Sequence, residues 1–179
     1  MHHESYWATV VRMDRKSFAA MECPIARATD EIGDAWSLLI LRSAFLGVRS
    51  FQGFELRLNA PPSTLTRKLK QLCERGLLRK LRYRAHPPRD EYLLSEKGRD
   101  LLPVLLALAA WGNRWLAPEG APLLIVDGKT GEPVDPIPCD ARTRRPLLIG
   151  EVAIAAGPGA SPGLRAALPQ PVPLGAEAP

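Results

Sequence analysis

The fold class that the sequence predicts is mainly α, with one β-hairpin and a small C-terminal β appendage. Three observations predict it. Between residues 23 and 117 the apolar residues recur at helical spacing in segments separated by Gly and Pro, which marks short amphipathic helices joined by tight turns. The segment Lys80-Leu81-Arg82-Tyr83-Arg84 alternates instead, and after a Pro-Pro tip it is answered by Glu91-Tyr92-Leu93-Leu94, the pattern of a β-hairpin. Beyond Pro118 the composition shifts, the last 62 residues containing 12 of the 18 prolines and 8 of the 14 glycines. Helices followed by a basic hairpin describe a winged helix-turn-helix, the hairpin being its wing. The expected organisation is an N-terminal arm over 1–22, the winged domain over 23–117, a small β-rich appendage over 118–156, and a disordered Pro/Gly/Ala tail over 157–179.

The elements follow in order. The arm shows weak periodicity, and its Tyr6, Trp7 and Phe18 are candidates to pack on a partner. At Cys23-Pro24 the pattern changes. Proline suits a first helical position because it has no N–H to lose there, so Cys23 is read as an N-cap and Gly33 as the close of a short helix. Ala35 to Leu46 is apolar nearly all round, as a central core helix is, and Gly47 stops it. Ser50 then caps a two-turn helix with Phe51, Phe54 and Leu58 on its stripe, and Asn59-Ala60-Pro61-Pro62 turns the chain. From Pro62 to Arg75 the stripe is Leu65, Leu69 and Leu72, and Gly76 ends the helix. Ser95 is read as the cap of one last long helix to about Leu116, bent by Pro103 inside it, with Leu101, Leu105, Leu108, Trp111 and Trp115 on one stripe. A small winged domain has little core left to cover such a stripe, so these five residues are the candidate dimer interface; the alternative is packing back on the chain's own core. In the appendage, Leu123 to Gly128, Val134 to Asp140 and Pro146 to Ile154 read as three short strands, and the tail from Gly157 has no periodicity.

Composition narrows the function classes. The net charge is +5, but residues 23–117 hold 16 Lys and Arg against 9 Asp and Glu. Between Thr66 and Arg89 nine cations meet one acid, Glu74, an excess that points to a polyanion partner, the alternative being a solvated face. The longest apolar run, Leu101 to Ala110, is too short for a bilayer, so no membrane partner is expected. The N-terminus, with Glu4 and Asp14, does not read as a secretion signal, and the expected location is the cytoplasm. Cys23, Cys73 and Cys139 are widely spaced with no zinc-like pattern, so neither a metal nor a cofactor is expected. An enzyme using Cys23 or Cys139 as nucleophile would need a base. The histidines are His2 and His3 in the arm and His86 at the wing tip, so catalysis is not expected unless the fold carries His86 to a cysteine.

The segments Cys23-Pro24-Ile25, Ile32 to Arg42, Phe51, Leu65 to Leu78 and Pro87 to Gly98 together resemble the HxlR-type winged helix-turn-helix transcriptional regulator family. The resemblance covers about half the chain and holds in order and spacing. It implies a MarR-like fold, a homodimer built on terminal helices, and repression of nearby genes. It further implies, for some members, sensing of oxidants or electrophiles through a cysteine at the position of Cys23. Two departures stand out: Pro61 occupies the place of a capping serine, and Gly33-Asp34-Ala35-Trp36 stands where Gly-Gly-Lys-Trp is common.

On this reading the partner is double-stranded DNA carrying a palindromic operator. The N-terminal residues of the second helix of a helix-turn-helix read base edges in the major groove, which selects Ser63, Thr64, Arg67 and Lys68, Arg67 being able to bond guanine bidentately. Thr66 and Lys70 are assigned to phosphate, and the wing residues Arg82, Arg84 and Arg89 to backbone or minor-groove contacts. Local capping is the competing role of Ser63 and Thr64, and a solvated strand face that of Arg82 and Arg84. Cys23 is the candidate redox sensor, because a thiol at a helix N-terminus gains thiolate character, against the alternative of simple burial. Trp36, Tyr92 and Cys73 are read as structural. A small-molecule or oxidant effector is compatible with this organisation, and so is the rival class of a winged-helix module for protein or RNA without sequence-specific DNA binding.

Overall fold

A computed structural model describes residues 17–84 and 89–175, the side chains of Tyr83 and Arg84 excepted. Arm residues 1–16 with Tyr6 and Trp7, the wing tip with His86, and the last four residues fall outside the described residues, whereas Phe18 of the arm is half-buried. The first helices are α1 (Pro24–Ile32), α2 (Ala35–Phe45), α3 (Phe51–Leu58) and α4 (Pro62–Glu74), and the hairpin is β1 (Leu78–Arg84) with β2 (Arg89–Leu94).

Local chemistry accounts for each boundary. Pro24 opens α1 after an extended Cys23, whose side chain makes no capping bond, and Gly33, at φ 106°, closes it. Asp34 caps α2 by accepting from the Ser37 amide, and Ser50 caps α3 by accepting from the Gly53 amide at 3.1 Å. Between α3 and α4, Asn59 takes the left-handed conformation (φ 46°) and the buried Ala60 leads into Pro61. Pro61 stands as N-cap without a side-chain bond, and α4 starts at Pro62, where the sequence pattern begins it.

The core lies between α2, α3, α4 and the base of the hairpin. Ile40, Leu41, Phe54, Leu65, Leu69, Leu72, Leu77 and Leu78 are fully buried. Each such side chain contributes roughly 1.5–3 kcal/mol of burial free energy. Tyr92 reaches this core from β2, meeting Phe54 edge to face with ring centroids 6.4 Å apart. The hairpin is antiparallel, Leu78 facing Leu94 and Lys80 facing Tyr92, with an irregularity between Arg82 and Arg84. Its second strand is tied to the body by the Tyr92 amide, which donates to the Arg49 carbonyl at 2.8 Å, beside a bridge from Ser50 to Glu91.

Three expectations need correction. The last long helix is two helices, α5 (Glu96–Arg99) and α6 (Leu102–Leu116), so Pro103 does not bend a continuous helix. It sits in the first turn of α6, where its missing N–H costs nothing, whereas inside one helix its ring would clash with the carbonyl four residues back. The appendage is not three strands. It holds two isolated bridges, Val126 to Pro133 and Cys139 to Pro146, each closing the same kind of tight turn, and its strand, Ala153–Ile154, covers only the end of the expected third segment. In the first turn the Asp127 carboxylate accepts from the amides of Lys129 and Thr130; in the second Asp140 accepts from those of Arg142 and Thr143. Two self-contained Asx-type turns bond locally, so no sheet is needed to satisfy their backbone. The tail is not disordered over 157–175: β3 (Ala153–Ile154) pairs with β4 (Val172–Pro173), and α7 (Pro162–Ala167) lies between them. Ser161 caps α7 by accepting from the Leu164 amide at 3.1 Å, and Pro162 follows it, a local start signal that average composition hides.

Candidate nucleic-acid interface

The α3–α4 unit positions the site. Burial of Leu65, Leu69 and Leu72 against the core turns the opposite side of α4 to solvent, and on it Ser63, Thr66, Arg67 and Lys70 are all exposed. Thr64 is half-buried at the edge. Lys70 approaches Glu74 at 3.7 Å with both side chains well exposed, a pair too solvated to hold either charge back from a polyanion.

Lys68 requires a correction. Its side chain is only 6 % exposed and its ammonium lies 2.6 Å from the Asp34 carboxylate, so it faces the protein interior and not a DNA groove. Position 68 follows Leu65 by three residues and precedes Leu72 by four, which places it on the buried stripe. Burial pushes the Asp34 carboxyl up, but the bonds from Lys68 and Ser37 together outweigh it and hold the group below its ordinary value.

The wing is less uniformly basic than its sequence. Asp90 takes both Lys80, at 2.9 Å, and Arg82, at 3.1 Å. Hydrogen bonds from these two cations hold the Asp90 carboxyl below its ordinary value. Arg89 is exposed and pairs in register with Arg84, whose side chain is outside the description. Arg79 is also exposed at the wing base. The sequence reading missed Asp90 as the neutralising group, although the residue directly follows the basic run; cross-strand placement brings it to Lys80 and Arg82.

The apolar stripe after the wing divides. Leu101 and Leu105 are half-buried and pack against the core, the alternative placement for this stripe. Leu108, Trp111 and Trp115 stay exposed, at 48, 57 and 64 %. The helix break at Asp100 and Leu101 causes the division, because α6 starts on the core and then leaves it. Trp111 and Trp115 line a groove of about 530 Å³ shared with the appendage, where the Arg114 guanidinium sits 5.4 Å from the Trp115 ring. Cys23 and Cys139 are exposed, and burial pushes the half-buried Cys73 thiol up. Among the described residues no helix is long and apolar enough to cross a membrane.

Known proteins match this arrangement. The profile of the HxlR-like helix-turn-helix family matches residues 31–120. The HTH-type transcriptional regulator MT3179 of Mycobacterium tuberculosis is 42% identical over 113 residues, covering 63% of this chain and 72% of its own. The HTH-type regulator sll1512 of Synechocystis is 35% identical over 108 residues, covering 60% of this chain and 80% of its own. Among solved structures, the candidate transcription factor PA1607 superposes with a TM-score of 0.71 at 33% identity, over 78% of this chain and 99% of that one. The family match spans half of a chain whose fold joins the buried stripe of α4, its exposed cationic side and a two-stranded wing: it belongs to the HxlR-like helix-turn-helix family of transcriptional regulators.

Proposed function

We propose that the chain acts as a homodimeric repressor that binds a palindromic operator in duplex DNA, with α4 in the major groove and the wing along the backbone or minor groove. The observation that carries this reading is the side of α4 opposite Leu65, Leu69 and Leu72, where Ser63, Arg67 and Lys70 are presented together. Arg67 reads a base edge; Thr66, Lys70 and Arg89 position the duplex through phosphate. The exposed Leu108, Trp111 and Trp115 of α6 supply the second-copy contact. A dimer places its two recognition helices about 34–36 Å apart, one turn of B-DNA, which is why a palindrome is the expected site.

Family membership supports transcriptional regulation, and no catalytic step is required for it. Cys23 is exposed beside the N-terminus of α1, which supports a response to oxidants or electrophiles. The test is fluorescence anisotropy of the protein against its own upstream intergenic DNA and a scrambled duplex across salt concentrations, with and without diamide. A salt-sensitive preference for the upstream duplex is expected, reduced by diamide in the wild type but not in Cys23→Ser. Equal affinity for the two duplexes at every salt concentration, with no dimer in light scattering, would sink the reading in favour of a protein- or RNA-interaction module.

A further inference from the structure

The recognition helix is held from behind at two points by one short corner of the chain. At the first, Asp34, the second of the two residues between α1 and α2, sets one carboxylate oxygen 2.6 Å from the buried Lys68 ammonium and the other on the Ser37 amide. At the second, the Arg75 guanidinium, at the C-terminal end of α4, donates to the Glu31 carbonyl at 2.8 Å. Lys68 and Arg75 are seven residues apart, so they lie within about 20° on one side of the helix and roughly 10 Å along it. The corner therefore touches α4 across two turns, on the flank of its buried stripe. Lys97 of α5 closes the arrangement by donating to the Arg75 carbonyl at 2.9 Å while pairing with the Glu31 carboxylate.

The corner is shaped for this contact. Gly33 adopts φ 106°, and a Cβ there would lie 3.2 Å from the Arg75 guanidinium and 3.0 Å from the Ser37 hydroxyl, so a side chain would press on both the cap and the clamp. The asymmetry of the ion pair is also informative. The Lys68 side chain is 6 % exposed while that of Asp34 is 39 % exposed. A buried ammonium with one half-exposed partner contributes little net stability. Its direct effect is geometric, because it allows one pose of α4 against the corner.

We propose that residues Glu31 to Asp34 form a positioning device that sets the pose of the recognition helix, acting through Lys68 and Arg75, and that Asp34, Lys68 and Arg75 are positioning residues for base reading without touching DNA. The proposal rests on the reading of α4 as the DNA-reading helix.

The test uses the full chain and the variants Lys68→Met, Arg75→Met and the double variant, with Lys68→Arg as the conservative control. Removing Lys68 leaves a carboxylate that water reaches, so Lys68→Met is expected to fold, whereas Asp34→Asn would strand the buried ammonium and is a poorer probe. Two quantities are read: the ratio of affinities for the preferred and scrambled duplexes, and hydrogen exchange of amides 63–75 relative to those of α2. Lys68→Met is expected to lower the ratio about tenfold by weakening the preferred duplex alone, the size of one mispositioned base contact. Exchange in α4 is expected to rise about tenfold while α2 is unchanged, with Lys68→Arg restoring both. An equal loss on both duplexes would make Lys68 a phosphate contact and overturn the proposal, as would wild-type ratio and wild-type exchange in the double variant. Should the wild type itself fail to separate the duplexes, the DNA-reading assignment of α4 fails, and the exchange data still decide whether the corner holds the helix.

Discussion

Gly98 lies with its Cα packed directly against the carbonyl of Leu77, so closely that a Cβ would overlap the carbonyl oxygen. That oxygen also accepts from the Ser95 amide and hydroxyl, each at 3.1 Å. The contact joins the exit of α4 to the start of α5, and it leaves no room for a side chain.

Gly98→Ala is therefore expected to destabilise the domain by about 1–3 kcal/mol or more, the cost of overpacking where the neighbour is backbone and cannot rotate away. Urea denaturation followed by circular dichroism measures it. A midpoint equal to wild type, at an unchanged slope, would show that the α5 turn can shift aside.

Base reading and backbone positioning separate by salt and sequence. Arg67→Ala is expected to cost about 1–3 kcal/mol on the preferred duplex and much less on a scrambled one. Lys70→Ala is expected to weaken both alike and to reduce the salt slope by about 1. Anisotropy titrations at several salt concentrations distinguish the two, and equal losses for Arg67→Ala on all sequences would remove it from base reading.

Asp34 gives a pH dependence of definite sign. Its carboxyl is held below the ordinary value because the bonds from Lys68 and Ser37 outweigh burial. A lowered folded-state pKa stabilises above the unfolded carboxylate value of about 3.9 and loses that contribution as pH falls through the folded value. Thermal melts of wild type and Asp34→Asn between about pH 6 and 3 are expected to converge as pH falls. A difference that stays constant or widens would show that the carboxylate form of Asp34 contributes nothing.

The two halves of the α6 stripe are expected to answer differently to truncation. Leu105→Ala removes a side chain packed against the core and is expected to lower stability by about 2 kcal/mol without changing assembly. Trp111→Ala removes a side chain that is 57 % exposed and is expected to shift the protein from dimer to monomer at little cost to the fold of the subunit. Light scattering and thermal melts on both variants check this. A Trp111→Ala protein that remains fully dimeric would move the contact elsewhere.

Much of the winged domain was legible in order because its determinants are local. Ser50 before Phe51, Pro24 after Cys23, Gly47 and Gly76 after their helices, and the alternation across Lys80 to Arg84 each specify a boundary through one side chain or one missing N–H, and the structure places the boundaries there. Leu65, Leu69 and Leu72 likewise told which side of α4 is buried. The same local chemistry is present at Ser161-Pro162, where α7 starts, inside a Pro- and Gly-rich stretch whose average composition masks it. Pro103 was equally local, and its meaning turned on whether it stood in the interior or the first turn of a helix.

The charges were a different matter. That residues 66–89 are rich in cations was fixed by the chain alone, and so were the helix-turn-helix, the hairpin and the stripe of α6. Which cations remain free was decided only when distant residues met: Asp34 came to Lys68, Asp90 crossed the hairpin to Lys80 and Arg82, and Leu101 and Leu105 turned to the core while Trp111 did not. Periodicity reports which side of one element is apolar, because it depends on neighbours three or four residues away. An ion pair or a burial depends on which elements come to lie side by side, and that is set by the packing of the whole domain.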